Sequence, residues 1–150
     1  MNVDDLTTWM LEEHAKVAGL ADHLRERVAL PPRGDRDVWI ADLRREFDEF
    51  AMRMARHLAM EEEGGYLTQV VELRPSLSQA VEIIRNEHEE LTQIFQEVQE
   101  AVHELAPADV LLLRDCCKRI EYLLTWLDRH EEHENHLVVY AFTQDWGGQD

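Results

Sequence analysis

An all-α fold, an antiparallel up-and-down bundle of four helices with an internal pseudo-twofold repeat, is what this sequence predicts. Three observations predict it. Apolar residues recur at three, four and seven positions along four long stretches. Short breaks containing proline or glycine separate those stretches, which makes sequential helices antiparallel neighbours. The first half of the chain also matches the second around its histidines. No segment alternates apolar and polar residues over a useful strand length.

The first helix is expected from about Asp4 to Leu30, with Asp4 as a plausible N-cap and Pro31-Pro32 ending it; Leu6, Met10, Val17, Leu20, Leu24 and Val28 form its apolar stripe. The second begins near Asp37, carries Ile40, Leu43, Phe47, Phe50, Met54 and Leu58, and runs into Glu61-Glu62-Glu63. Gly64-Gly65 is a weak point, so Tyr66 to Leu73 is either a bent continuation or a separate short helix. After Arg74-Pro75, Ser76 and Gln79 read as a capping box for a third helix that reaches about Leu105, with Ile83, Ile84, Leu91, Ile94, Phe95, Val98 and Val102. Pro107 fits the first turn of a fourth helix ending near Phe142.

One domain over residues 1–150 suits this length. The formal charge of −17 repels phosphate backbones and anionic lipid, so neither nucleic acid nor a membrane is an expected partner. No apolar stretch reaches the roughly 18 residues of a membrane span, and the acidic Met1-Asn2-Val3-Asp4-Asp5 start reads as no secretory signal, so a cytoplasmic location is the default expectation. Adjacent Cys116 and Cys117 lack zinc or redox spacing; at least one is expected to face the core as a small apolar residue.

The repeat carries the chemistry. Glu13-His14 matches Glu87-His88, and His57-Leu-Ala-Met-Glu61 matches His130-Glu-Glu-His-Glu134. His14 and His57 are 43 residues apart, His88 and His130 42. His14 lies 18 residues before Pro32 and His57 25 after it; His88 lies 19 before Pro107 and His130 23 after it. At about 1.5 Å per residue, antiparallel neighbours with such offsets meet within a turn or two of one level. The His-x-x-x-Glu spacing places both side chains on one helix face, and that face is otherwise apolar, with Phe50 and Met54 before His57 and Leu123 and Leu127 before His130. Polar groups on a core stripe need partners, and a metal would satisfy imidazole and carboxylate together. Their combination suits iron, manganese or zinc over calcium or magnesium.

A His on the first helix, His-x-x-x-Glu on the second, a His on the third and His-x-x-x-Glu on the fourth resemble the hemerythrin-like family, also called the HHE cation-binding domain. His14, His57, Glu61, His88, His130 and Glu134 fill every place, and the resemblance spans about Asp4 to Phe142. It implies a four-helix bundle holding two non-heme iron ions, oxo- or hydroxo-bridged, with zinc or manganese as other occupants. The repeat suggests His14 and His57 on one metal and His88 and His130 on the other, with Glu61 and Glu134 bridging. The oxygen carriers of the family use a fifth histidine where this chain has Thr92, and an Asp five residues past the last histidine where this chain has Glu134 four past it. The chain therefore resembles the four-His, two-Glu subgroup, linked to iron or oxygen sensing and to nitrosative-stress repair. The implied function is to bind or sense oxygen or a related small ligand, or iron and redox state; alternatives are a di-iron enzyme acting on peroxide or nitric oxide, and a structural metal bundle.

Other residues read more plainly. A ferritin-like site would need two Glu-x-x-His motifs, and only Glu100-Ala-Val-His103 has that spacing. Glu13, Glu87, Glu62, Glu63, Glu131 and Glu132 read as surface charge, His133 and His136 as a polar helix end, against the alternative that they extend the site, and His23 as exposed. Trp126, one turn before His130, is expected to line or shield the centre; Tyr66, Tyr122 and Tyr140 are expected in the core, against the alternative that they stand near the site as proton or electron donors. Gly64-Gly65 suggests a ligand route with Tyr66 or Leu67 near its mouth, against the alternative that the glycines only end the helix.

Overall fold

The structure is a computed structural model that describes residues 3–30, 32–63 and 65–143. Its helices are α1 (Val3–Ala29), α2 (Arg36–Glu62), the short α3 (Tyr66–Leu73), α4 (Ser78–His103) and α5 (Val110–Thr143), with a 3₁₀ turn at Pro75–Leu77. The four long helices pack as neighbours in the cycle α1–α2–α4–α5, and no strand occurs among the described residues.

Local chemistry sets the helix ends. Gly34 supplies a backbone at φ 84° in the first turn, a conformation that a side chain would strain. Asp35 then caps α2, accepting from the Asp37 amide at 2.8 Å. Asp109 does the same for α5, accepting from Leu112 N at 3.0 Å, so this helix starts at Val110 and Pro107 lies in the preceding turn, not in the helix. The Ser76–Gln79 capping box does not form either. Pro75-Ser76-Leu77 close a 3₁₀ turn, and α4 begins at Ser78, whose hydroxyl donates to Pro75 O at 2.6 Å. Asp4 lies inside the first turn of α1, where its charge favours the helix dipole. Arg44 on α2 donates to the terminal carbonyls of Val102, His103 and Leu105, tying the α2 surface to the end of α4.

The core is divided. One apolar cluster, including Phe47, Phe50, Phe95, Leu123 and Leu124, fills the half nearer the α1–α2 and α4–α5 turns. A second, including Leu6, Met10, Tyr66, Leu67, Val70, Ile84, Leu137 and Val138, fills the other end beneath α3. Along α1, α4 and α5 the switch between clusters falls at a buried polar residue: His14 lies between Met10 and Val17, His88 between Ile84 and Leu91, and His130 between Leu127 and Leu137; the buried face of α2 belongs to the first cluster and ends in His57, Leu58 and Glu61. A polar layer therefore crosses the bundle between two oily blocks.

α3 is a separate helix, folded back across the bundle end. Gly65 allows the reversal: a Cβ there would meet the carbonyl oxygens of Met60 and Glu61 and lie 2.8 Å from the carbonyl carbon of Glu61. Buried Arg74 then donates to Ala141 O at 3.2 Å, fastening the end of α3 to α5. Cys116 faces the core as expected, and burial pushes its thiol up to about 12. Tyr122 and Tyr140 depart from the expected core placement. Both are exposed, because Ile120, Leu123, Leu127, Leu137 and Val138 take the inward arc of α5. Ile83 is likewise outward while Ile84 faces in.

Candidate metal centre

All six predicted residues meet in the polar layer. His14, His57, His88 and His130 are at most 5% exposed, and Glu61 and Glu134 are 0% exposed. They form two overlapping groups: His14, His57, Glu61 and Glu134, and His88, His130, Glu61 and Glu134. Within each group one donor atom per residue lies within 4.8 Å of every other. The two glutamates belong to both groups. His14 and His57 have ring centroids 5.2 Å apart, and His88 and His130 4.9 Å apart, so the halves repeat in geometry as in sequence.

The Nε2 atoms point inward. His14 Nε2 is 3.2 Å from Glu134 Oε2 and 3.8 Å from Glu61 Oε1. His88 Nε2 lies 2.9 Å from Glu134 and 3.0 Å from Glu61. His57 pairs with Glu61 one turn on, and His130 with Glu134. Despite this crowding, His14 Nε2, His130 Nε2, both Glu61 oxygens and Glu134 Oε2 are buried without an acceptable hydrogen bond. Orphaned donors and acceptors are expensive in a low-dielectric interior, and these converge on one place. Imidazole nitrogens and carboxylate oxygens that meet this way fit transition-metal ligation.

Electrostatics shows what the layer does with protons alone. Burial opposes charge on His14 and His88, but the Glu134 and Glu61 carboxylates outweigh it and raise each to about 10. His130 is raised too, chiefly by Glu134 against burial. Burial would lift Glu134, yet the surrounding His130, His14 and His88 hold it well below the ordinary carboxylate value.

The outer nitrogens of three histidines meet polar side chains that the sequence did not point to. Glu87 Oε1 accepts from His130 Nδ1 at 2.8 Å, Glu62 Oε1 accepts from His88 Nδ1 at 2.7 Å, and Asn135 Oδ1 accepts from His14 Nδ1 at 2.6 Å. Glu13 faces His57 Nδ1 at 3.9 Å. Glu13, Glu62 and Glu87 are therefore not plain surface charge. Nor is Glu131, which burial pushes up to about 7 beside His14 and His57. Glu87 also meets His133, which is otherwise exposed. Trp126 stacks on His130 at 6.1 Å as expected, and Trp9, which the sequence did not single out, stacks on His57 at 5.8 Å. His23 is exposed and pairs with Glu46.

A family model for the hemerythrin HHE cation-binding domain matches residues 5–142. The chain belongs to the hemerythrin family. Searches of curated proteins and of solved structures found no significant match. The hemerythrin HHE match covers all six convergent residues and every helix that carries them.

The expected mouth beside the glycines does not form at Tyr66 or Leu67. Tyr66 and Leu67 are 0% exposed, and Gly65 is used for close backbone approach; Gly64 lies outside the described residues. The Tyr66 hydroxyl is buried with no hydrogen-bond partner among the described residues, and burial with the nearby Glu134 and Glu61 charges lifts it well above its ordinary value. Buried Tyr66 and Leu67, packed in the second apolar cluster, cover the centre on the α3 side. Leu137 and Val138 close it from α5, as expected.

Proposed function

We propose that this hemerythrin-family domain holds two iron ions and uses them to bind or sense oxygen, a related small ligand, or iron and redox state. The observation that carries the reading is the convergence of four buried histidines and two fully buried glutamates, with His14 Nε2, His130 Nε2, both Glu61 oxygens and Glu134 Oε2 left orphaned among them. His14 and His57 would hold one ion, His88 and His130 the other, and Glu61 and Glu134 both. Such a pair would supply an open coordination position and a change of oxidation state.

The chain's own residues would do the rest. Nδ1 acceptors fix each imidazole with Nε2 inward, except at His57, where Trp9 stacks instead. Apolar blocks on both sides of the layer limit water, which strengthens charge interactions inside. Tyr66 presents a buried phenol beside the two carboxylates and can donate a hydrogen bond there. That phenol favours a second reading, an enzyme acting on peroxide or nitric oxide, since turnover needs a proton source.

The deciding experiment is anaerobic iron reconstitution, metal analysis, and an oxygen titration followed by absorbance. Binding predicts two irons per chain and new charge-transfer bands that vanish under argon. Turnover of peroxide or nitric oxide would favour the enzyme instead. Less than about half an equivalent of any transition metal would end the proposal. No helix of the described residues is long and apolar enough to cross a membrane; a cytoplasmic location belongs to the proposal.

A further inference from the structure

The two halves agree at the six convergent residues and disagree one layer out. On one side both outer imidazole nitrogens donate to carboxylates, His88 to Glu62 at 2.7 Å and His130 to Glu87 at 2.8 Å. Each carboxylate is itself anchored, Glu62 by Arg85 at 3.4 Å and Glu87 by His133 at 3.2 Å. On the other side His14 donates to a neutral amide, Asn135. His57 Nδ1 has no hydrogen-bond partner. The carboxylate facing it, Glu13, is 3.9 Å away and lies 3.5 Å from Arg53 and 3.6 Å from Lys16.

The internal repeat makes this a position-by-position comparison. Asn135 follows Glu134 as Glu62 follows Glu61, and Glu13 precedes His14 as Glu87 precedes His88. An acceptor with full negative charge draws the Nδ1 proton toward itself and leaves Nε2 richer in electrons. An amide oxygen does so weakly, and an unpaired nitrogen gains nothing. We infer that the two metal positions are unequal, that the His88–His130 position is the tighter and fills first, and that Glu62 and Glu87 are the positioning residues that make it so.

One feature opposes this order. Glu131 stands beside His14 and His57, where the repeat puts Leu58 in the other half, and its Oε1 is buried without a partner. It adds negative charge to the weaker position but makes no hydrogen bond to either imidazole and is not among the convergent donors. Charge at that range acts less on donor strength than a direct acceptor on the ring.

The inference rests on the proposal that the six residues hold metal, and the test separates the two. Cobalt(II) is the probe, read by its visible absorption and by competition with a chelator. His14→Ala leaves the His88–His130 position whole, and His88→Ala leaves the other. The first variant should bind its ion at least about tenfold more tightly than the second. Adding Glu62→Gln to the first should weaken it by about tenfold or more, and adding Asn135→Asp to the second should tighten it, a gain that a merely structural role would not produce. In the otherwise unaltered chain, two separated binding steps should draw together on Glu62→Gln, which keeps the test valid if a histidine variant does not fold. Equal affinities, or a reversed order that Glu131→Gln abolishes, would overturn the inference while the six-residue centre stands. No cobalt bound by the unaltered chain would defeat both.

Discussion

Glu87 on α4 accepts the Nδ1 proton of His130 on α5 at 2.8 Å, so a residue next to one convergent histidine orients another on a different helix. The same carboxylate meets His133 at 3.2 Å, linking the buried layer to the surface. Glu87→Ala should leave His130 without its outer partner. Metal affinity is expected to fall about 10–100-fold with helix content unchanged, measured by chelator competition beside far-ultraviolet circular dichroism. Unaltered affinity would show that the contact is incidental.

Metal uptake should release protons. His14 and His88 are raised to about 10, so both are protonated at pH 7 in the metal-free chain, and a metal must displace those protons. Apparent affinity should therefore rise with pH, and loading in weak buffer should acidify the solution. A pH indicator during titration checks this, and no proton release would contradict it.

The metal-free chain should respond to pH in the opposite sense. A folded pKa of about 10 against an ordinary 6.5 makes His14 and His88 stabilising below pH 6.5, and that contribution is lost as pH rises toward 10. Glu134, held well below 4.5, is stabilising above that value and stops being so as pH falls through its lowered folded pKa. Urea midpoints of chelator-treated protein should be highest between these limits and fall above pH 7. A midpoint that climbs steadily to pH 10 would be incompatible with the protonated layer.

Glu61→Ala and Glu134→Ala should each sharply lower iron content, since each carboxylate belongs to both donor groups. Glu63→Ala, at an exposed position after α2, should not. Metal analysis of the three proteins after identical iron supplementation decides it, and equal content in all three would refute the shared role.

Gly65→Ala should destabilise the fold by about 1–3 kcal/mol, because the new Cβ collides with the backbone of Met60 and Glu61 and not with a movable side chain end. The shift would press on α3 and the Tyr66 it buries. Thermal or urea unfolding measures the loss, and an unchanged midpoint would mean that α3 accommodates the methyl group freely.

The fold was legible in the sequence because apolar spacing and breaks agree at each helix, and the six convergent residues because the repeat aligns them. What escaped notice depends on neighbouring helices. Glu13, Glu62 and Glu87 read as surface charge on their own helices, since adjacent residues turn about 100° apart. That turn is what carries Glu62 and Glu87 across to a histidine on the next helix. Their place beside the motif residues in both halves was the available clue. The Ser76–Gln79 box and the Pro107 helix start failed for a local reason: the turn chemistry of Pro75 and Asp109 took precedence. Tyr66 and Leu67 form no mouth because they fill the second apolar cluster, against partners on other helices that their own segment does not reveal.

The polar layer also has a bearing on how the chain breathes. It leaves the α3 end as the smaller apolar block, separated from the larger one by buried polar and charged side chains. Cooperative units of this sort open at different free energies. Amide hydrogen exchange of chelator-treated protein should accordingly be faster in α3 and the adjoining ends of α1 and α5 than around Phe47, Phe50 and Leu123, so that the end that shelters the centre is also the first part of the fold to open.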